Sequence, residues 1–205
     1  MKLDWNINDM HKASFRWSLV SAKQLNSNSS ASSLRASNNQ YDFVSKTNTF
    51  IGELQSRFSD VLSNEARLSY VRVRDERQPY GAPAPQLQIS NVGGGTLYFG
   101  TEYSSGANSL NQDIYTLTDN LTWNLGRHSL TFGTNNELYT FENLFIQNIY
   151  GSYAFNNVDD FLAGKIKTFQ YGHANTDVTG DPRWAAKFSS AQVGFYVQDK
   201  FDVND

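Results

Sequence analysis

Cysteine is missing from all 205 residues, which excludes disulfides and thiolate metal sites. Long apolar runs are missing too: no stretch approaches the ~18 apolar residues that a membrane-spanning helix requires. Charge is scarce at 18% and nearly balanced, with a net charge of -3 and a pI near 5.6. Nucleic acid is therefore not an expected partner. No apolar h-region follows Met1-Lys2-Leu3-Asp4, so no export signal is visible and the sequence reads as a segment of a larger exported protein. A hydrophobic share of 39% and a mean hydropathy of -0.53 describe a polar chain. Disorder is resisted by 14% aromatic residues and the low net charge. Alternation reconciles the two: when half of every strand faces water, a membrane wall scores as soluble.

Residues 113–141 show that alternation best. Tyr115, Leu117, Leu121, Trp123 and Leu125 fall on one face of an extended chain, with Thr116, Thr118, Asn120, Thr122 and Asn124 on the other. Gly126-Arg127-His128 turns the chain, and Leu130 and Phe132 then alternate with Ser129, Thr131 and Gly133. The result is a hairpin with one greasy and one polar face.

The same design recurs. Leu3, Trp5 and Ile7 mark a first strand, and Ala13, Phe15, Trp17 and Leu19 a second over 12–20. A low-complexity polar loop over 21–40 has too little apolar surface to fold alone. A third strand is expected over 42–58. A fourth carries Ala66, Leu68 and Tyr70 and runs into a long loop lasting to about Leu110. That loop holds Pro79, Pro83 and Pro85, three of the four prolines. A third excursion covers 142–188, and a last strand, 190–201, leads into a turn at 201–205.

Connections thus alternate between short and long, as the periplasmic turns and extracellular loops of outer-membrane barrels do. The arms suit spanning strands of ~9 to 11 residues better than soluble strands of ~5 to 6. The expected fold class is all-β: an antiparallel transmembrane β-barrel segment of about eight strands with long extracellular loops. Two rivals fit less well. One is a soluble or secreted β-sandwich binding module whose aromatics stack on carbohydrate. The other is a complete eight-stranded membrane barrel, which would pair its first and last strands.

An ordered series of segments carries a resemblance. SRFSDVLSNEARLSYVRVRDER is followed by GTEYSSGANSLNQDIYTLTDNLTWNLGRHSLTFGTNNELYTFENLFI, GSYAFNNVDDFLAG and QVGFYVQDKF. The series resembles the barrel of TonB-dependent outer-membrane receptors, in particular the Oar-like group with a carboxypeptidase-regulatory-like domain. The resemblance covers about Ser56 to Asp202 well and the first forty residues loosely. It implies an interior slice of a barrel of about 22 strands closed by a plug. It also implies uptake of a bulky ligand (oligosaccharide, peptide or metal chelate) driven through TonB. Implied partners are outer-membrane lipid, the rest of the barrel and its plug, and the TonB complex. Plug, TonB box and closing aromatic strand are not in this sequence, so the slice alone is not expected to transport.

Catalytic candidates are sparse, and neither an enzyme nor a cofactor is expected. His11, His128 and His173 share no local cluster, and His11 and His128 fall in expected periplasmic turns, where solvation is the simple reading. Asp159-Asp160 before Phe161-Leu162 reads as helix capping rather than an acid/base pair. Gly93-Gly94-Gly95-Thr96 lacks the lysine of a phosphate loop and reads as a flexible turn. Asp177 and Asp181 offer oxygen ligands, but their spacing matches no calcium loop and turn chemistry accounts for them.

Trp5, Trp17, Trp123, Phe58, Tyr70 and Phe201 are expected in interfacial girdles. Glu53, Arg57, Glu65 and Arg67 are expected to line the lumen or pair across strands. Arg72, Arg74 and Arg77, where the fourth strand leaves the bilayer, are candidates for contact with lipid phosphates. The bland alternative for these three is a solvated loop paired with Asp75 and Glu76. Loop aromatics such as Tyr98, Tyr103, Tyr153 and Trp184 either stack on a ligand or pack the loops together.

Overall fold

A computed structural model describes residues 1–203 and contains two β-sheets. The first is an antiparallel meander of seven strands. It consists of β1 (Lys2–Asn6), β2 (His11–Asn26), β4 (Tyr41–Arg57), β5 (Leu62–Pro79), β8 (Asn108–Leu125), β9 (His128–Phe145) and β12 (Ala186–Phe201). The second has five strands: β3 (Ser33–Arg35), β6 (Gln86–Val92), β7 (Gly95–Phe99), β10 (Ser152–Phe155) and β11 (Thr168–Gln170). Two helical turns, α1 (Val158–Leu162) and α2 (Thr176–Thr179), lie in the last long connection. The wall therefore has seven strands where about eight were expected. The closing turn expected at 201–205 falls partly on Asn204 and Asp205, outside the described residues.

Register makes the wall lean. Asn6 closes the first hairpin opposite Lys12, and Lys12 pairs with Gln55; β4 runs two residues further to Arg57. Ser63, opposite Arg57, pairs with Thr122, and β8 runs three residues further to Leu125. For these turns to share one rim, each pair of strands must climb about 2.5 residues at ~3.4 Å across two spacings of ~4.8 Å, a tilt of about 40°. That is the stagger of a barrel wall.

One side of the wall carries Leu68, Leu138, Val193, Phe195 and Val197, which are 57–80% exposed, with nothing packed on them among the described residues. A sandwich would cover this face with a second sheet. The polar side is concave and encloses a trough of about 870 Å³. β1 and β12 sit at opposite ends of the sheet and do not pair, so this is not a closed eight-stranded barrel.

Strands β5, β8 and β9 have 18 residues each, where ~9 to 11 suffice to span. The surplus carries the wall beyond the bilayer. This corrects the expected loop starts: β2 continues to Asn26 and β5 to Pro79. The alternation fades there because both faces are wet, as in Ser21-Ala22-Lys23-Gln24 and Arg72-Val73-Arg74-Asp75.

Above the wall, the three long connections fold together. β3 pairs with β7 and β10 with β6, both in parallel, so segments distant in sequence share one sheet. Val92 and Gly95 flank the β6–β7 turn, where Gly93 and Gly94 have φ of +57° and +83°. Two positive φ values define the primed turn that suits a twisted hairpin, so the turn expected at this glycine run joins β6 to β7. Phe161 of α1 packs edge-on to Phe99 and Phe155.

Nearly all fully buried side chains lie here or at the tops of β4 and β8: Ile89, Phe155, Ala107, Ile149, Tyr41 and Asn39. Asn39, only 1% exposed, donates to Gln86 Oε1 (3.2 Å) and Gly100 O (3.0 Å) and accepts from Arg35 Nη1 (2.7 Å). The polar segment that has too little apolar surface to fold alone thus supplies the central hydrogen-bonding residue of the loop layer. It folds by borrowing apolar and polar partners from the other two loops.

Candidate functional site

The candidate site has three surfaces: the inner trough, the outer belt and the loop layer. On the inner face, Arg67 bonds Glu53 through Nη2 (2.8 Å) and Nε (3.1 Å) and reaches Glu65 at 3.1 Å. Glu53 and Arg67 are register partners on β4 and β5. Four side chains were expected inside or paired, and three form this cross-strand network. Arg57 pairs instead with Asp60 of the adjacent turn at 2.6 Å.

Tyr196 faces Gly133 in register, and its hydroxyl reaches Asn120 on the next strand. A Cβ on Gly133 would lie 2.1 Å from the Tyr196 ring, so the glycine makes room for the aromatic. Because the obstacle is a side chain that can swing away, Gly133→Ala is expected to cost only about 1 kcal/mol, one hydrogen bond's worth. A urea titration of membrane-embedded protein reads it, and Tyr196→Phe should cost the same and add nothing in combination.

The outer face carries aromatics at two levels. Trp5, Phe58, Trp123 and Phe201 lie beside the short turns. Trp17, Phe50, Tyr70 and Tyr115 form a stacked ladder across β2, β4, β5 and β8, with centroid spacings of 6.4, 5.9 and 4.7 Å. Along β8, Tyr115 and Trp123 are eight residues apart. At ~3.4 Å per residue and a tilt of about 40° the belt between them is about 20 Å tall, close to the apolar band of outer-membrane barrels. Aromatic tips point to polar partners: Tyr70 donates to Asp113 (2.6 Å) and Trp17 Nε1 to Asn48 (3.2 Å).

The three arginines separate. Arg72 and Arg74 alternate with inward Val73 on the outer face, just past the aromatic ladder. Arg74 is held by Asp113 in a two-pronged ion pair (3.0 and 2.8 Å), whereas Arg72 makes no hydrogen bond with the described residues. Arg77 faces inward under the loops. It donates to Ser104 Oγ (2.8 Å), lies 3.6 Å from buried Glu102, and covers the Tyr41 ring at 4.7 Å. Pairing with Asp75 or Glu76 is not what holds any of them.

The histidines are engaged rather than simply solvated. His11 Nδ1 lies 2.9 Å from Ser56 Oγ, and His128 Nδ1 lies 2.7 Å from Asp199 while its ring packs on Phe201. His173 contacts the Ala174 carbonyl at 2.7 Å. Asn157 caps α1 through the Asp160 amide (2.8 Å). The hydrogen bond from Asn156, then nearby Lys165, holds the Asp160 carboxyl below its usual range. Its contribution is therefore present above that range and fades as pH falls through the lowered value. Asn175 and Gly180 cap α2, which contains Asp177, and Asp181 lies just past the Gly180 cap.

An open, tilted, antiparallel wall with a lipid-facing belt, a wet inner face and folded outer loops defines a segment of an outer-membrane β-barrel. The sequence matches the outer membrane beta barrel domain family over residues 1–205, and the chain belongs to that family. Its fold is similar to that of the outer membrane transporter YddB from Escherichia coli, with a TM-score of 0.66 at 13% identity. The match covers 98% of this chain and 24% of the transporter, so the chain spans about a quarter of that protein's length. No curated relative matches the sequence. The chain is thus an outer-membrane protein of a Gram-negative cell.

Proposed function

We propose that this chain is wall and outer-loop part of a TonB-dependent receptor that captures a bulky ligand and passes it through a plugged lumen. The chemistry is binding and passage, with no covalent step. The observation that carries the reading is the loop layer: three long connections share one sheet and one buried core, a construction suited to holding a ligand above a pore. The remaining strands would pair with the free edges of β1 and β12, and a plug would meet the Glu53–Arg67–Glu65 network and the trough around it. TonB would act through a segment outside this chain. The ligand is an oligosaccharide, peptide or metal chelate.

The receptor purified from outer membranes is expected to hold no steady open channel in planar bilayers and to be retained by immobilised TonB periplasmic domain. A permanently open channel with no retention would instead mark a simple pore.

Lipid contact at the outer rim is proposed for Arg72 with neighbouring Lys46, both exposed on the outer face above the ladder. Arg74 joins them with its charge already balanced by Asp113, and Arg77 is too far under the loops to take part. Replacing Lys46 and Arg72 with glutamine should make the folded protein about tenfold easier to strip of lipopolysaccharide by chelators. Unchanged retention on gel shift would remove the lipid role.

A further inference from the structure

The five-stranded loop sheet has two unlike faces. Leu97, Ile89 and Phe155 lie on the face that takes Phe161. The opposite face carries one row that crosses all five strands in register: Arg35, Tyr98, Gln88, Ala154 and Thr168. Gln86, Ser152 and Gln170 form the next row on the same face. Between Gln88 and Thr168 the small Ala154 leaves space, and a pocket of about 240 Å³ opens there, with Tyr103 and Asn148 on its other wall. At ~30 Å³ per water that is room for a single sugar ring rather than a drug-sized ligand.

The chemistry of the lining is selective. Arg35 is its one cation and no carboxylate lines it. The guanidinium is fixed before any ligand arrives, lying 4.4 Å over the Tyr98 ring and donating from Nη1 to buried Asn39. Among the described residues, Nη2 of Arg35 and the side chains of Gln88, Thr168 and Gln170 have no hydrogen-bond partner. Among the described residues four buried side-chain polar atoms have no hydrogen-bond partner, and two belong to residues of this pocket: Nε of Arg35, a donor, and Oδ1 of Asn148, an acceptor. Buried polar atoms are normally paired, so these two mark a pocket whose polar lining the chain itself does not fully satisfy.

Resting on the receptor reading above, we propose that this pocket binds one acidic sugar unit, a uronic acid, of the ligand. The carboxylate pairs with Arg35 through Nη2, the nitrogen left open beside Nη1 on Asn39 and the enclosed Nε. Ring hydroxyls, each both donor and acceptor, suit the free amides of Gln88 and Gln170 and the Thr168 hydroxyl. The half-exposed Tyr103 offers a ring for the sugar's C–H face. A peptide fits worse: no acid receives an ammonium group, and Ala154 is the only aliphatic side chain to receive another.

The test is calorimetry on the intact receptor in detergent with trigalacturonate, a neutral trisaccharide and an acidic dipeptide. Trigalacturonate should bind at least tenfold more tightly than either. Arg35→Gln should weaken it at least tenfold without changing the weak binding of the neutral sugar. Because Arg35 also touches Asn39, Ala154→Leu is the second variant: it fills the pocket, removes no polar group, and should abolish binding with the loop layer still resistant to protease. Undetectable trigalacturonate binding, a preference for the neutral sugar or the dipeptide, or full binding by Ala154→Leu would each overturn the proposal. Such a failure in a receptor that is still retained by TonB leaves the receptor reading standing; loss of TonB retention counts against that reading instead.

Discussion

Gly100→Ala is expected to unfold the outer loop layer while leaving the wall assembled. Gly100 sits at φ +81°, and a Cβ there would lie 1.9 Å from the Pro85 carbonyl oxygen and 2.9 Å from its carbon. Unlike the tyrosine over Gly133, this obstacle is backbone and cannot swing aside. A left-handed conformation costs a non-glycine residue about 1 to 3 kcal/mol before any overlap is counted, and the overlap pushes β6 away from the 100–102 segment. That segment holds the layer together: Gly100 accepts from Asn39, and Thr101 donates to Ala84. The total loss is expected to exceed about 3 kcal/mol. Limited proteolysis on whole cells should therefore cut the variant within 80–107, where the native protein resists. The wall should keep its heat-resistant mobility on gels, because its strands pair with each other independently of the loops. Uncut loops would mean that Gly100 is not a keystone of the layer.

The second large effect separates two adjacent residues. Leu68 is 64% exposed on the outer face, two residues from the aromatic ladder and six from the level of Trp123, and Ser69 faces inward. An arginine on a lipid-facing surface costs up to about 2 to 4 kcal/mol, most at the midplane and less toward the interfaces, whereas an inward arginine meets water and the polar lining. Leu68→Arg should lower the urea midpoint of vesicle-embedded protein sharply, and Ser69→Arg should barely move it. Equal effects would mean that the two faces have been misassigned.

Much of this architecture is legible in the sequence because water and lipid act on alternate residues of each spanning strand. The period-two pattern of 113–133 becomes β8 and β9, and the short turns fall where Asn8-Asp9, Ser59-Asp60 and Gly126-Arg127 place them. The pattern stops being informative where the strands leave the bilayer. Arg72, Arg74 and Lys23 still lie on strands, but with water on both sides nothing in their hydropathy says so.

The loop layer is hidden for a different reason. Its two parallel pairings join residues such as Leu34 and Leu97, or Leu87 and Tyr153, that are far apart in the chain. No local signal encodes such a partner. Asn39 looks like one more polar residue in a polar stretch, yet it is buried because Gln86 and Gly100 come to it from the next loop. The pocket row is hidden in the same way, since its five residues come from five strands. The one hint was the enrichment of tyrosine in loops that had no obvious core to fill.

The central claim is that alternate residues of these strands face lipid and water. Because the chain has no cysteine of its own, single cysteines can carry a spin label along β8 from Tyr115 to Trp123 in the vesicle-embedded receptor. Oxygen concentrates in lipid and a nickel chelate stays in water, so their collision rates report each label's surroundings. Strict alternation is expected: labels at 115, 117, 121 and 123 meet oxygen, and those at 116, 118, 120 and 122 meet the chelate. Chelate access at every position, with no alternation, would place the strand in a soluble sheet and contradict the account.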